Sequence, residues 1–178
     1  FVLRGPARGI LTAERTILNF VQLLSGTATT VSEYLELLGD THCVLLDTRK
    51  TVPGLRLAQK YAVICGGGTN HRFGLDDAFL LKENHISAAG SIKDAILLAR
   101  THRPDMPVQV EVENIEELEE AIESGANSAL LDNFSIDELV LASKIAKNKI
   151  KTEASGNVST ETIAEIAKTG VDFISVGN

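Results

Sequence analysis

The chain has 178 residues, of which 44% are hydrophobic and 23% are charged, a composition typical of one globular domain with a buried core. Its formal net charge of -7 argues against binding to nucleic acid or to an anionic membrane, because both surfaces require a basic excess. Any anionic ligand must therefore be held by a local cluster of cations.

The sequence also predicts the cellular compartment. No apolar run reaches the roughly 18 residues that a membrane-spanning helix needs, and arginines interrupt the opening segment FVLRGPARGILTAERT where a signal peptide would be apolar. The two cysteines, Cys43 and Cys65, have no further ligand at metal-binding spacing, which favours a reduced protein over a disulfide scaffold. We therefore expect a cytoplasmic protein.

Helical periodicity marks the first part of the chain, and short apolar runs mark the rest. Thr12 to Leu38 has helical spacing of apolar residues, with an interruption predicted at Ser25-Gly26. After it, strand-like runs alternate with amphipathic stretches. The predicted strands are Cys43–Leu46, Phe79–Leu81, Val108–Val112, Ala129–Leu131, Ile150–Glu153 and Phe173–Val176. The predicted helices are Leu55–Ile64, Ser91–Thr101, Ile115–Ser124, Ile136–Asn148 and Thr160–Thr169.

This alternation predicts parallel strands joined by right-handed crossovers. Periodicity alone does not separate an open doubly wound sheet from a closed or nearly closed β/α barrel. However, each of the six strands is followed by a polar or glycine-containing segment, and in a barrel all six segments meet at the mouth that carries the active site. This placement favours an α/β fold of the barrel type.

Two glycine-containing turns follow the last two predicted strands, at Ser155-Gly156-Asn157 and at Gly177. Backbone N–H groups in such loops bind phosphate, and the late loops of β/α barrels are the usual phosphate site. A single Ser-Gly-Asn before a helix is more often a simple turn. Two such turns on consecutive strands favour a phosphate site.

Basic residues gather at the predicted mouth, where Arg49, Lys50, His71, Arg72 and Lys82 lie on strand ends or loops. Arginine presents a planar fork that matches a carboxylate or phosphate, while lysine acts as a point charge. This mixture suits a small ligand with several anionic groups. The alternative is that each residue is a solvated loop cation or a member of an ion pair.

Carboxylates also end several predicted strands, with Glu111 and Glu113 on the third and Asp132 on the fourth. Glu111 and Glu113 alternate along the strand and are expected on the same face, pointing into the barrel. Carboxylates at a phosphate-binding mouth usually act through Mg²⁺, which binds one or two of them together with phosphate oxygens. The alternative is a buried pair that neutralises Lys82 or Lys50.

Together these segments resemble the quinolinate phosphoribosyltransferase family, also called nicotinate-nucleotide pyrophosphorylase (carboxylating). The resemblance covers nearly the whole chain in order. The matching segments are ERTILN, SGTAT, DTRKTVPGLR, QKYAV, GGGTNHRFGLDDAFLLKENH, VEVEN, LLDNF, SGN and SVG.

The resemblance implies a fold and a domain organisation. It implies an incomplete β/α (TIM-like) barrel of the type II phosphoribosyltransferase kind, in a homodimer or larger assembly whose subunits share the active site. Residues 1–38 would be a linker and long helix, and residues 39–178 the barrel. The smaller N-terminal α/β domain of the family would be absent. Because the chain lacks an initiating methionine and ends at SVGN directly after an apolar run, we expect a fragment.

The resemblance also implies the reaction, which transfers phosphoribose from phosphoribosyl pyrophosphate to quinolinate with Mg²⁺. Decarboxylation follows and gives nicotinate mononucleotide, pyrophosphate and CO2 in NAD biosynthesis. The quinolinate carboxylates would be held by Arg49, His71, Arg72, Lys82 and, from the partner subunit, Arg15. The sugar phosphate, its pyrophosphate or the metal would be bound by Thr48, Lys50, Glu111, Asp132, Ser155, Gly156 and Gly177. Lys50, Lys82, Glu111 and Asp132 would have catalytic roles, with Glu111 and Asp132 at the metal.

Three other functions remain open at this point. One is a related pyrophosphorylase-like barrel associated with molybdate transport, which agrees less well with the NHR and LLKENH segments. Another is a lyase that forms a Schiff base at Lys82. The third is a truncated barrel that binds a phosphorylated ligand without catalysis.

Overall fold

The structure, a computed structural model, describes residues 2–177 and contains six strands and seven helices within that range. The strands are β1 Val44–Leu46, β2 Phe79–Leu81, β3 Val108–Val112, β4 Ser128–Asp132, β5 Lys151–Ser155 and β6 Phe173–Ser175. The helices are α1 Ala7–Leu38, α2 Arg56–Cys65, α3 Glu83–Ala89, α4 Ile92–His102, α5 Ile115–Glu123, α6 Ile136–Ala146 and α7 Ile163–Ala167.

All six strands pair in parallel in one sheet with the order β1-β6-β5-β4-β3-β2. The last strand therefore pairs with the first. The sheet curls into a barrel that stays open between its two edge strands, β1 and β2. A doubly wound sheet reverses its strand order near the middle, and this sheet does not. The predicted incomplete β/α barrel is confirmed.

Residues 66–78, between α2 and β2, occupy the free edge of β1. Thr69 forms a parallel bridge with Leu46, and the backbone N–H of Thr69 donates to the carbonyl of Leu45 at 3.0 Å. The backbone N–H of Asp47 donates in turn to the carbonyl of Thr69 at 3.1 Å. These contacts hold the segment, with its predicted site residues His71 and Arg72, against the open side of the barrel.

The sheet has an apolar outer face and a more polar inner face. Successive strand residues point to opposite faces, so the buried Val108, Val110 and Val112 share the side that joins the helix-covered core. Gln109 is buried on the other side, where its amide nitrogen donates to the carboxylate of Glu153 at 2.7 Å. Buried polar groups on the inner face indicate that the barrel interior supports the functional mouth.

Two predicted features of the helices were wrong. Helix α1 is continuous through Ser25-Gly26, because an interior glycine keeps its backbone N–H donor and costs only about 1 kcal/mol relative to alanine. Helix α3, which begins directly after Lys82, was missing from the predicted helices, and in its first turn His85 Nδ1 accepts from the Lys82 N–H at 3.0 Å. None of the side chains of α3 is fully buried, and Ile86 and Ala89 alone among them pack against the core, so its apolar periodicity is weak.

Strand and helix ends also differ from the predicted ones. Asp132 and Ser155 are the last residues of β4 and β5, although these strands were predicted to end at Leu131 and Glu153. Helix α7 has five residues where ten were predicted, since Ser159 to Thr162 form capping hydrogen bonds among themselves instead of a helical turn. Both cysteines are free. Within residues 2–177 no helix is long and apolar enough to cross a membrane.

Helix α1 packs against α2 and α7, and its residues Tyr34 and Leu38 belong to the buried core. Its contact with α2 depends on a close approach at Gly66. A Cβ atom at Gly66 would lie 2.8 Å from Cβ of Val31 and would also meet the carbonyl oxygen of Ala28. The division of the chain at residue 38 stays a prediction.

We expect Gly66→Ala to destabilise the protein by about 1 to 3 kcal/mol, because the added methyl group must push α1 away from the end of α2. Gly26→Ala is the matched control, since open space surrounds Gly26 within the same helix and alanine is the better helix former by about 1 kcal/mol. Chemical denaturation should therefore give shifts of opposite sign. A neutral Gly66→Ala variant would contradict the close packing of α1 on α2.

Candidate active site

The predicted phosphate-binding residues lie together at the carboxyl ends of β1, β5 and β6. They line one cavity of about 430 Å³. Those that were predicted from the sequence and that share this cavity are Thr48, Lys50, Ser155, Gly156 and Gly177. Lys50 is the one cation among the described residues that line it, so this cavity combines a single point charge with backbone and hydroxyl groups.

Two glycines allow the close packing of this cavity. Gly156 has a φ of +87°, and a Cβ atom there would lie 2.7 Å from Cγ of Asn133. A Cβ atom at Gly177 would lie 2.8 Å from Oγ1 of Thr48 and 3.3 Å from Cδ of Lys50. Neither position has room for a side chain. A loop without side chains also lets an anion approach its backbone N–H groups closely.

A second cavity, of about 670 Å³, lies at the open edge of the barrel next to β2. Arg49, Arg72 and Lys82 line it, together with apolar side chains that include Phe79 and Leu81. Cations beside an apolar wall can hold the anionic groups of a ligand and the body of a flat ring at the same time.

The two arginines of this cavity lie close enough to affect one another. Burial of the Arg72 guanidinium and the charge of Arg49 lower the pKa of Arg72, against the opposing charges of Asp77 and Glu153. Nη1 of Arg72 donates to the carbonyl of Ala78 at 2.8 Å. Among the described residues no carboxylate forms an ion pair with either arginine, and the buried Nε of Arg49 has no hydrogen-bond partner. The arrangement leaves positive charge available for an anionic ligand.

His71 does not line this cavity but contacts Arg72, which does. Its Nδ1 accepts from the backbone N–H of Arg72 at 2.7 Å, and its Nε2 lies 3.2 Å from both Glu153 Oε2 and Gln109 Oε1. Both ring nitrogens are therefore occupied by contacts within the chain. Its contact with a substrate carboxylate stays a prediction, and the observed contacts place it as a support for Arg72.

The carboxylates at the mouth have partners of their own. Glu111 forms an ion pair with Lys82, as the alternative interpretation of this residue expected, although Lys82 is half exposed rather than buried. Asp132 Oδ2 accepts from the amide of Asn133 at 2.9 Å. Because β3 ends at Val112, Glu113 lies outside the strand and is exposed, and its predicted direction into the barrel stays a prediction.

Glu111 and Asp132 were predicted to bind Mg²⁺. Within residues 2–177 no group of three or more His, Cys, Asp or Glu side chains is arranged to hold a metal. Two carboxylates fit an Mg²⁺ ion that arrives with a polyphosphate, since this ion takes one or two carboxylates and fills its other positions with phosphate oxygens and water. The donor set therefore suits a metal bound jointly with substrate.

Arg15, which was predicted to reach the site of a partner subunit, is exposed on α1 and lines neither cavity. The structure contains one chain, so this residue's role stays a prediction. Its exposure on a long helix is compatible with contact to a second subunit.

Four supporting residues were not predicted as a group: Asp47, Lys60, Gln109 and Glu153. Lys60 is fully buried and its Nζ bonds Oδ1 of Asp47 at 2.5 Å and the carbonyl of His71 at 2.9 Å. A lysine in an otherwise amphipathic helix gives no sign that it is buried. Gln109 could have been found, since it alternates with Glu111 in an apolar strand and should share its face.

The structure is a β/α barrel with two glycine-containing loops at one cavity and a separate cationic cavity, lined by Arg49, Arg72 and Lys82. The sequence profile of the quinolinate phosphoribosyl transferase C-terminal domain matches residues 27–178. The chain belongs to this family.

Similar proteins agree with this assignment. The chain is 46% identical to a probable nicotinate-nucleotide pyrophosphorylase [carboxylating] of Bacillus subtilis, covering 98% of the chain and 61% of the relative. It is 43% identical to the corresponding Mycobacterium leprae protein, covering 98% and 63%. The solved nicotinate-nucleotide pyrophosphorylase of Francisella tularensis is 56% identical and superposes with a TM-score of 0.93, covering 96% of this chain and 61% of that one. The chain thus spans about three fifths of the length of these relatives.

Proposed function

We propose that the protein containing this chain transfers phosphoribose from phosphoribosyl pyrophosphate to quinolinate and releases pyrophosphate and CO2. The product is nicotinate mononucleotide, a precursor of NAD. The proposal rests on family membership and on two separate cavities that are lined by cationic side chains.

The observation that carries the proposal is the pair Arg49 and Arg72. Two guanidinium groups of like charge lie together in a net acidic chain, and no carboxylate among the described residues forms an ion pair with either of them. Holding like charges together costs free energy unless a ligand offsets it. A ligand with two carboxylates would do so, and the apolar residues beside them suit the pyridine ring.

The other cavity suits the sugar phosphate. Ser155, Gly156 and Gly177 would present N–H and hydroxyl donors to the phosphate, with Thr48 as a further donor and Lys50 as the counter-charge. A divalent Mg²⁺ ion, held by Glu111 and Asp132 with the pyrophosphate, would supply charge neutralisation for the leaving group. For Glu111 to bind the metal, its carboxylate must first give up its ion pair with Lys82.

The chain's own residues then position the two substrates. Arg49 and Arg72 would turn the ring so that its nitrogen faces the anomeric carbon of the ribose, which develops positive charge as pyrophosphate leaves. A neighbouring carboxylate stabilises such charge. Decarboxylation requires that the carboxylate next to the ring nitrogen is oriented without being over-stabilised as an anion, so the cations must favour the other carboxylate.

The cavity of Arg49 and Arg72 would be the dicarboxylate site, which binds quinolinate. We also propose a homodimer or larger assembly in which Arg15 of one subunit completes the dicarboxylate site of the other. The exposed apolar side chains of α1, among them Leu18, Phe20 and Val21, are compatible with burial against another subunit. A cytoplasmic location is part of the same proposal.

Purified full-length protein with quinolinate, phosphoribosyl pyrophosphate and Mg²⁺ should form nicotinate mononucleotide, and a chelator should abolish the reaction. Nicotinic acid, which lacks the second carboxylate, should not be turned over, because the paired arginines would keep an unmatched charge. Turnover of both acids would contradict a dicarboxylate site. Borohydride trapping of a keto substrate on Lys82 would instead support a Schiff-base lyase.

A further inference from the structure

A buried carboxylate lies next to His71, whose neighbour Arg72 lines the cationic cavity. None of the proposed substrate contacts uses this carboxylate. Glu153, on β5, is 2% exposed. Its Oε2 accepts from the amide nitrogen of Gln109 at 2.7 Å and lies 3.2 Å from Nε2 of His71. Within residues 2–177, His71 is the one basic side chain at this distance from it, and neither lysine nor arginine is bonded to it there.

The contacts of His71 define where its ring proton lies. Nδ1 accepts the backbone N–H of Arg72, so Nδ1 must carry a lone pair. The proton of the neutral ring is therefore on Nε2, where it donates towards the Glu153 carboxylate. The carboxylate, the ring and the Arg72 backbone form one chain of hydrogen bonds.

The main chain of His71 is fixed separately. Its N–H donates to Asp47 Oδ1 at 2.7 Å, and its carbonyl accepts from Nζ of Lys60 at 2.9 Å. With both backbone groups held, rotation of the ring is the freedom that remains, and Glu153 and Gln109 control it. A flipped ring would place a different nitrogen against the Arg72 N–H.

A carboxylate in this place is expensive for the fold. Burial raises the pKa of Glu153, but its hydrogen bonds, among them those from His71 and Gln109, outweigh that effect and lower it. The group is therefore ionised at neutral pH, although apolar residues of similar size would fill a barrel interior at less cost. A role in orienting the site gives a physical reason for a hydrogen-bond acceptor at this position.

We propose that Glu153 is a positioning residue of the dicarboxylate site, where it holds the Nε2-protonated tautomer of His71 and so sets the backbone position from which Arg72 reaches its ligand. The inference rests on the proposed function for its kinetic consequences. The hydrogen bond, rather than the negative charge, does the positioning. An isosteric glutamine, whose side-chain oxygen can accept the same proton, should therefore replace it.

Kinetics of the full-length protein test this with three variants. Glu153→Ala should raise the KM for quinolinate about tenfold to a hundredfold, the effect of losing one hydrogen bond to a charged group, with the KM for phosphoribosyl pyrophosphate little changed. Glu153→Gln should restore most of the quinolinate KM. Asp172→Ala is the matched control, because Asp172 pairs with the exposed Lys151 at the amino end of the same strand and lines neither cavity.

Nitrogen chemical shifts of the His71 ring provide a readout that does not need activity. In ¹⁵N-histidine-labelled protein, with His71→Asn used to assign the signals, the wild type and Glu153→Gln should show the Nε2-protonated tautomer. Glu153→Ala should show a mixture of tautomers. Asp172→Ala should keep the wild-type pattern even if it lowers stability.

The outcomes separate the two proposals. If wild-type protein does not make nicotinate mononucleotide but His71 shows the expected tautomer pattern, the proposed function fails and the hydrogen-bond chain stands. If the wild type is active while Glu153→Ala leaves the quinolinate KM unchanged, or affects both substrates equally, the positioning role is wrong. Glu153→Gln behaving like Glu153→Ala, in a folded protein, would also overturn it.

Discussion

Arg72→Ala is expected to raise the KM for quinolinate by about 30-fold to several thousand-fold, since loss of one buried charge-assisted partner costs about 2 to 5 kcal/mol. The KM for phosphoribosyl pyrophosphate should change far less, because Arg72 lines the cationic cavity and not the cavity that contains Lys50. Steady-state kinetics of the full-length protein, with each substrate varied in turn, measure both values.

Two further variants make this test specific. Arg72→Lys keeps the charge but loses the planar fork, so it should recover only part of the quinolinate affinity. Arg103→Ala removes an exposed arginine that pairs with Asp105 outside both cavities, and it should leave both KM values near those of the wild type. Equal losses for both substrates in Arg72→Ala would show that the two cavities have been assigned wrongly.

Lys60→Met is expected to produce the largest loss of stability, about 3 to 5 kcal/mol, because it leaves the carboxylate of Asp47 buried without its cation. Lys60 also holds the carbonyl of His71, so residues 66–78 should lose their fixed position on β1. The melting temperature should fall by about 6 °C or more.

Lys151→Met provides the comparison for this effect. Lys151 also forms an ion pair, with Asp172, but its side chain is 64% exposed, and exposed pairs contribute about 1 kcal/mol or less. A Lys60→Met protein as stable as Lys151→Met would contradict the buried-pair account. Hydrogen exchange of the amides in residues 66–78 should increase in Lys60→Met and not in Lys151→Met.

Much of the fold was predictable because parallel β/α units have strong local signals. The apolar runs of all six strands were found to within two residues, and polar residues after them indicated a shared mouth. Helix α3 was not found, since none of its side chains is fully buried and its N-cap is Lys82 rather than the usual serine or aspartate. An apolar pattern in the sequence does not reveal a helix whose side chains pack little against the core.

The site was predictable where chemistry requires unusual residues, and not where it requires support. Arg49, Arg72 and Lys82 do share a cavity, as do Lys50, Gly156 and Gly177. In contrast, the links from His71 to Gln109 and Glu153 join residues 38 and 82 positions away in sequence. Such long-range pairing depends on the curvature of the barrel, which no local pattern encodes.

The stoichiometry of the reaction tests the central claim most directly. Full-length protein supplied with phosphoribosyl pyrophosphate, Mg²⁺ and quinolinate labelled with ¹⁴C in the carboxylate next to the ring nitrogen should release labelled CO2 and pyrophosphate in equal amounts, each matching the nicotinate mononucleotide formed. Pyrophosphate release without labelled CO2, or turnover of nicotinic acid at a similar rate, would contradict the account.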